Sequence, residues 1–243
     1  GSTLMPYTPQ EAAEEALRWK EQGFSAVKMG WGGFELPQSE CVKLVEATRN
    51  AIGDDMDMML DIGFIPSGDF NVTAASRLLL INEIREFKPY WIEEAVYPDD
   101  YEGYKMLVES TDVRIAGGEN ETTRYGFKQL IEVCKLDILQ PDITRCGGLT
   151  EAKRIGAMAT AHNTTVIPHA WSSGIVIAAS LHFIATQSNS NLLEYCVWDT
   201  PIRKEMLKQD FKLRDGYVDV PMGPGLGIEI DDEAIQKYRC DII

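Results

Sequence analysis

Residues 91–95, WIEEA, open a series with RIAGGE (114–119), DILQPD (137–142) and TTVIPH (164–169). Each is a short aliphatic or β-branched run ending on an acid or an imidazole. Continuous apolar runs of this length are strands buried on both faces of a parallel sheet. Working outward, AVKMG (26–30) and MMLDI (58–62) come before them and NLLEYC (191–196) after. Longer segments lie between: PQEAAEEALRWKEQG (9–23), SECVKLVEATRNAIG (39–53), NVTAASRLLLINEIREF (71–87), RYGFKQLIEVC (124–134) and LTEAKRIGAMATAHN (149–163). They place apolar residues at i, i+3, i+4 and i+7, several with a capping residue or a closing glycine, which is the pattern of amphipathic helices. The chain therefore reads as βα, repeated.

One polar residue marks the end of each strand: Lys28, Asp61, Glu93, Glu119, Asp142, His169 and Glu194, spaced by 33, 32, 26, 23, 27 and 25 residues. In a parallel barrel this phase is the C-terminal face, where the loops build an active site. A single charge after a strand is ordinarily a helix cap or a solvated loop residue. Seven in register converge on one axis, where their carboxylates repel unless a cation or substrate compensates. The pattern predicts an α/β fold, a TIM-type (β/α)₇β barrel forming one unit over residues 1–243. A closed barrel of this kind has eight strands and seven βα units are countable, so the first strand is expected to be incomplete or supplied from elsewhere. Residues 197–243 leave the pattern, with two turn-rich stretches around a hairpin, and read as a tail closing over the barrel.

Composition excludes several classes. Of 243 residues, 38 are acidic and 23 basic, a formal net charge of −15, which opposes nucleic-acid binding because phosphate neutralisation needs clustered Lys and Arg. With 44% hydrophobic and 25% charged residues the chain has an ordinary globular make-up, far from that of disordered chains. No basic n-region with an apolar stretch opens it and no apolar run is long enough to span a bilayer. Cys41, Cys134, Cys146, Cys196 and Cys240 are odd in number and widely spaced, with no CxxC pair. They read as reduced thiols, so the expected location is the cytoplasm.

Asp61, Glu93 and Glu119 come from three consecutive strands with no His or Cys beside them. Hard oxygen donors with room left for water and substrate suit octahedral Mg²⁺ better than zinc. Across the barrel, Asp142 and His169 lie on adjacent strands, and a carboxylate beside an imidazole fixes its tautomer and raises its basicity, giving a candidate general acid/base. A core histidine is the other reading of His169. Pro168 before it and Ala-Trp-Ser-Ser-Gly after it make a strand-end loop instead. His162, at a helix end, and His182, in an apolar helix, read as structural.

In this order and at these spacings, LDIGF, WIEE, GGEN, QPDITRCGG, PH and LLEY resemble the barrel domain of the enolase superfamily, in its mandelate racemase / muconate lactonising branch. GPGLGIEID (223–231) resembles that branch's closing motif, and the resemblance covers nearly the whole chain. It implies one Mg²⁺ held by Asp61, Glu93 and Glu119, an Asp142–His169 catalytic dyad, and Glu194 hydrogen-bonded to the substrate carboxylate or the developing enolate. Glu94 and Asn120 would stand behind the ligands, and Lys28 near the substrate carboxylate. Trp31, with Phe34 in the Gly-rich GWGGF loop, and Trp171 would line the substrate pocket, although loop aromatics packing on the rim are an equal reading. The family's chemistry is removal of a proton α to a carboxylate with Mg²⁺ stabilising an ene-diolate. Its substrates would be small carboxylates, here a sugar acid, and its assemblies dimers or octamers.

Two departures matter. Two-base members carry a Lys-x-Lys motif whose second Lys works from the face opposite the histidine, and here the motif is Lys28-Met29-Gly30. Full-length members also carry an N-terminal α+β capping domain, and none is expected within these residues, since residue 1 lies just before the first barrel helix. A single imidazole that removes the α-proton and returns it to a departing β-hydroxyl points to an acid-sugar dehydratase. A racemase or epimerase, a cycloisomerase, and a truncated, non-catalytic barrel are the alternatives.

Overall fold

Short strands with apolar side chains on both faces must be covered on both, and here the inner cover is the barrel's own interior. The computed structural model describes residues 1–63 and 72–240; Phe64 of the LDIGF stretch and Asn71, which opens the third helical segment, lie outside them. Seven strands pair in parallel in chain order: β1 (Ser2–Leu4), β2 (Ala26–Gly30), β3 (Asp57–Asp61), β4 (Trp91–Glu93), β5 (Ile115–Gly117), β6 (Ile138–Leu139) and β7 (Thr165–Val166). The eighth position is filled by residues 189–197. Val166 N–H donates to Asn189 O (2.9 Å) on one side, while Ser2 N–H donates to Tyr195 O (2.9 Å) and Val197 N–H to Ser2 O (3.0 Å) on the other. A parallel bridge joins Ser2 to Cys196. The barrel is thus closed from within the chain, and the first strand, expected to be incomplete or supplied from elsewhere, is the chain's own β1. That strand is Ser-Thr-Leu, three residues with no apolar run to betray it.

Alternation sorts the side chains into two layers. Val27, Met29, Met58, Leu60, Ile92, Ile115, Leu139 and Val166 face outward into the main core beneath the helices. Met59, Trp91, Ala116, Ile138 and Ile167 face inward and fill the barrel. The register aligns Gly30 with Asp61 and Asp61 with Glu93. Lys28 is aligned with Met59, one pleat deeper than the carboxylates, so it rises into the site from below.

Around the barrel lie α1 (Pro9–Glu21), α2 (Gln38–Ile52), α3 (Ala74–Ile84), α4 (Tyr101–Ser110), α5 (Thr123–Glu132), α6 (Gly148–Ala161) and α7 (Gly174–Ile184). Local chemistry sets their ends. Thr8 caps α1 ahead of Pro9, Thr73 and Ser76 form a reciprocal capping box on α3, and Asp100 caps α4, each satisfying amide donors that a first turn leaves free. Beyond Val197 come α8 (Pro201–Lys204), an antiparallel hairpin of β8 (Leu213–Arg214) and β9 (Tyr217–Val218), and α9 (Asp232–Tyr238). Leu207 of this segment is buried and packs so close to Gly174 that a side chain there would come within 2.5 Å of it. No helix among the described residues is long and apolar enough to cross a membrane.

Candidate active site

The strand register puts three carboxylates together. One oxygen each from Asp61, Glu93 and Glu119 lies within 4.8 Å of the others. Asp61 and Glu93 end β3 and β4 in line with each other. Glu119 reaches the same point after Gly118, whose φ of 112° is open to glycine without strain. Burial, then Glu93 and Glu119, push the Asp61 carboxyl up to about 8, against the opposing pull of Lys28. Glu94, buried behind them, is likewise pushed up to about 8 by burial and then by Glu119, Asp61 and Glu93. The negative charge therefore exceeds what the nearby ammonium neutralises, and three hard oxygen donors at this spacing fit a divalent cation such as Mg²⁺. Asn120 donates from Nδ2 to Glu94 and Glu119, at 3.4 Å in each case.

Lys28 is enclosed by acids: Nζ lies 2.6 Å from Glu93, 2.8 Å from Glu194 and 4.0 Å from Asp61. Burial opposes its charge, but Glu194, Glu93 and Asp61 outweigh it and hold the ammonium well above its ordinary pKa. Trp91 Nε1 donates to the other oxygen of Glu93 at 3.0 Å. Glu194 accepts from Ser2 Oγ (2.9 Å), Lys28 and Ala170 N–H (2.8 Å). Despite burial, Lys28 and then His169 bring its carboxyl down to about 2.

His169 Nδ1 is 2.8 Å from Asp142 Oδ2 and its Nε2 is 3.3 Å from Glu119 Oε2. Burial resists protonation of the ring, yet Glu194, the Asp142 hydrogen bond and Glu119 together raise its pKa to about 9. Thr144 N–H donates to Asp142 Oδ1 at 2.7 Å, so the carboxylate that orients the ring is itself held. Of the other imidazoles, His162 ends α6 and His182 Nε2 lies 3.2 Å from Leu226 O, and neither lines the cavity.

A cavity of about 390 Å³ opens above these groups, and Lys28, Asp61, Glu119, His169, Glu194, Trp31 and Trp171 all line it. Besides Ser2, Thr3 and Leu4 of β1, the lining residues Arg145 and Trp198 escaped the sequence reading. Arg145, three residues past Asp142, lies 3.2 Å from both Glu119 and Asn120 and 3.9 Å from Asp142. Trp198 stands with its ring centroid 6.0 Å from that of Trp171. The available signal was a tryptophan two to four residues beyond a strand-end polar residue, which recurs after Lys28, His169 and Glu194. Gly30 lines the cavity as well, and a Cβ there would fall 2.5 Å from Asp61 Cβ.

Residues 11–234 match the family described as Enolase C-terminal domain-like, and the chain belongs to that family. It is 32% identical over 237 residues to D-galactarolactone cycloisomerase of Agrobacterium fabrum, covering 93% of this chain and 60% of that protein. It is 36% identical over 200 residues to D-galactonate dehydratase of Cronobacter sakazakii, covering 80% and 51%. Among solved structures, the 3,6-anhydro-D-galactonate cycloisomerase from Zobellia galactanivorans superposes with a TM-score of 0.86 at 35% identity, covering 98% of this chain and 65% of that one. The chain thus spans between about half and two thirds of the length of these relatives. The Asp61, Glu93 and Glu119 cluster is consistent with the divalent-metal site of the enolase superfamily.

Proposed function

We propose that the site removes the α-proton of a sugar acid and expels the oxygen on its β-carbon. The simplest form is a dehydratase, in which a hydroxyl leaves. The observation that carries the reading is one imidazole, held by Asp142, whose outer nitrogen faces the carboxylate triad. His169 Nε2 points at Glu119 from 3.3 Å, whereas the Lys28 ammonium is locked between Glu93 and Glu194.

One Mg²⁺ held by Asp61, Glu93 and Glu119 would supply Lewis acidity to the substrate carboxylate and lower the cost of the charge that develops as the α-proton leaves. The remaining work falls to side chains. His169 Nε2 takes the proton and Asp142 holds the ring so that this nitrogen faces the substrate. Lys28, kept charged by its two glutamates, offers N–H donors to the enolate oxygen, and Glu194 serves by fixing that ammonium. The imidazolium then returns the proton to the departing oxygen. Racemisation by two bases lacks its second group, because Gly30 stands at that position.

A second reading is supported by the similarity to two cycloisomerases: the same elimination with a ring oxygen as the leaving group. Both readings make a 2-keto-3-deoxy acid. The test is incubation with Mg²⁺ and a panel of acyclic and cyclic sugar acids, with the keto product trapped as a semicarbazone. Product from the wild type and none from His169→Asn is expected. Equal product from both would remove His169 from the reaction.

A further inference from the structure

Arg77 closes the first turn of α3, its N–H donating to Thr73 O at 3.0 Å, and its side chain is buried. Among the described residues no carboxylate pairs with it, and burial lowers its pKa. A cation at the start of a helix opposes the helix dipole, and burying one without an acid is costly. The needs of α3 therefore do not account for a guanidinium here. What it meets is backbone: Nε donates to Ala95 O at 3.1 Å and Nη2 to Ile62 O at 3.0 Å. These carbonyls stand just past the ends of β3 and β4, next to the strand-end acids Asp61 and Glu93.

The Ile62–Gly63 peptide joins Arg77 to Asp61. A trans peptide is planar, with its C=O and N–H on opposite edges. Arg77 holds Ile62 O at one edge, and at the other Gly63 N–H donates to Asp61 Oδ1 at 3.1 Å. A bond to the carbonyl polarises the amide and strengthens that donation. The peptide presses so closely on the carboxylate that a Cβ on Gly63 would stand 2.6 Å from Asp61 Oδ1. On the neighbouring strand Glu94 has a φ of 46°, a left-handed conformation that such a side chain holds only when its surroundings impose it. Strand alternation would send Glu93 and Glu94 to opposite faces. Asn120 Nδ2 lies 3.4 Å from both Glu94 and Glu119, so the turn keeps Glu94 beside the triad, and Arg77 fastens the carbonyl of the next residue. Ile62 N–H completes the link by donating to Glu93 O at 3.2 Å.

Resting on the metal-site reading above, we propose that Arg77 is a positioning residue. By holding Ile62 O and Ala95 O together it fixes the orientation of Asp61 and its spacing from Glu93, and so keeps the triad fitted to a small divalent cation. Mg²⁺ takes oxygen ligands at about 2.1 Å with little tolerance, whereas Ca²⁺ takes them at about 2.4 Å in flexible arrangements. A tethered triad favours the smaller ion, and a loosened one discriminates less.

The test is calorimetric titration of Mg²⁺ and of Ca²⁺ into the wild type, Arg77→Met and Arg77→Lys, with amide hydrogen exchange of the metal-free proteins beside it. Arg77→Met keeps the stem and removes every donor. Its Mg²⁺ affinity is expected to fall about tenfold and its Ca²⁺ affinity by less, so that the Mg²⁺/Ca²⁺ ratio narrows at least about threefold. Arg77→Lys, with one ammonium to offer, should lie between. The Gly63 amide should exchange at least about tenfold faster in Arg77→Met. The Ile167 amide, bonded to Leu139 O across the barrel, should keep its rate, whereas a general loss of stability would speed both. An unchanged ratio or an unchanged Gly63 rate in a folded variant, equal acceleration of both amides, or failure of both variants to fold would overturn the positioning role. Absence of Mg²⁺ binding by the wild type would instead overturn the metal-site reading, and the positioning role with it.

Discussion

At the scale of single residues the site is a balance of charge, and removing one member has a signed consequence. Asp61→Asn deletes an anionic donor from a triad of three, and Mg²⁺ affinity measured by calorimetry should fall at least about 100-fold, beyond the 10–100-fold typical of residues that only support ligands. Gly30→Ala is a subtler test, since its Cβ would stand 2.5 Å from Asp61 Cβ. Asp61 or the strand must shift, so weaker Mg²⁺ binding is expected from a substitution that removes no ligand; unchanged affinity would show that the strand gives way at no expense to the site. By the same geometry, Gly30→Lys is expected to shift Asp61 as well as add an amine. The carboxylate triad and the Asp142–His169 pair were legible in the sequence because each follows an apolar run at a regular interval. Arg145 and Trp198 were not, because both lie in loops where only their three-dimensional neighbours, Glu119 and Trp171, give them meaning.

At the scale of elements, the apolar strands and amphipathic helices could be read from periodicity, and the joints between them could not. β1 escaped because three residues, Ser2–Leu4, carry no pattern, and NLLEYC contributes a single bridge to Ser2 where a longer ladder was expected. α4 was hidden by Gly103 within its first turns. One joint is testable by itself. The Arg49 guanidinium on α2 donates to Phe87 O, Gly53 O, Met56 O and Lys88 O at 2.7–3.0 Å, tying the end of α2 to the turns leading into β3 and β4. Arg49→Met keeps the aliphatic stem and removes all the donors. A loss of about 2 kcal/mol is expected from the partly buried carbonyls it abandons, read as a fall in Tm of roughly 4–8 °C for a chain of this size. A Tm within 1 °C of wild type, on the order of 0.3 kcal/mol, would mean that water replaces the clamp without penalty.

At the scale of the whole molecule, the barrel brings together residues as far apart in the chain as Ser2 and Glu194, and its eight-fold arrangement was legible from the repeat even though one strand was not. Closure places the acids of β3 to β5 in one buried cluster, so a cation that binds only the folded state must stabilise it. At a hundred times its Kd, Mg²⁺ should add about 2.7 kcal/mol, seen as a rise in Tm that a chelator reverses and Asp61→Asn lacks. One imidazole, working with the carboxylate triad, is expected to move the α-proton of a sugar acid. The most direct measurement is proton NMR in D₂O with Mg²⁺ and a cyclic or acyclic sugar acid, following deuterium into the α-position of substrate and the 3-position of product. Deuterium incorporation by the wild type and none by His169→Asn is the predicted result. Incorporation that persists in His169→Asn would remove His169 from this role, because another base would then be carrying the proton.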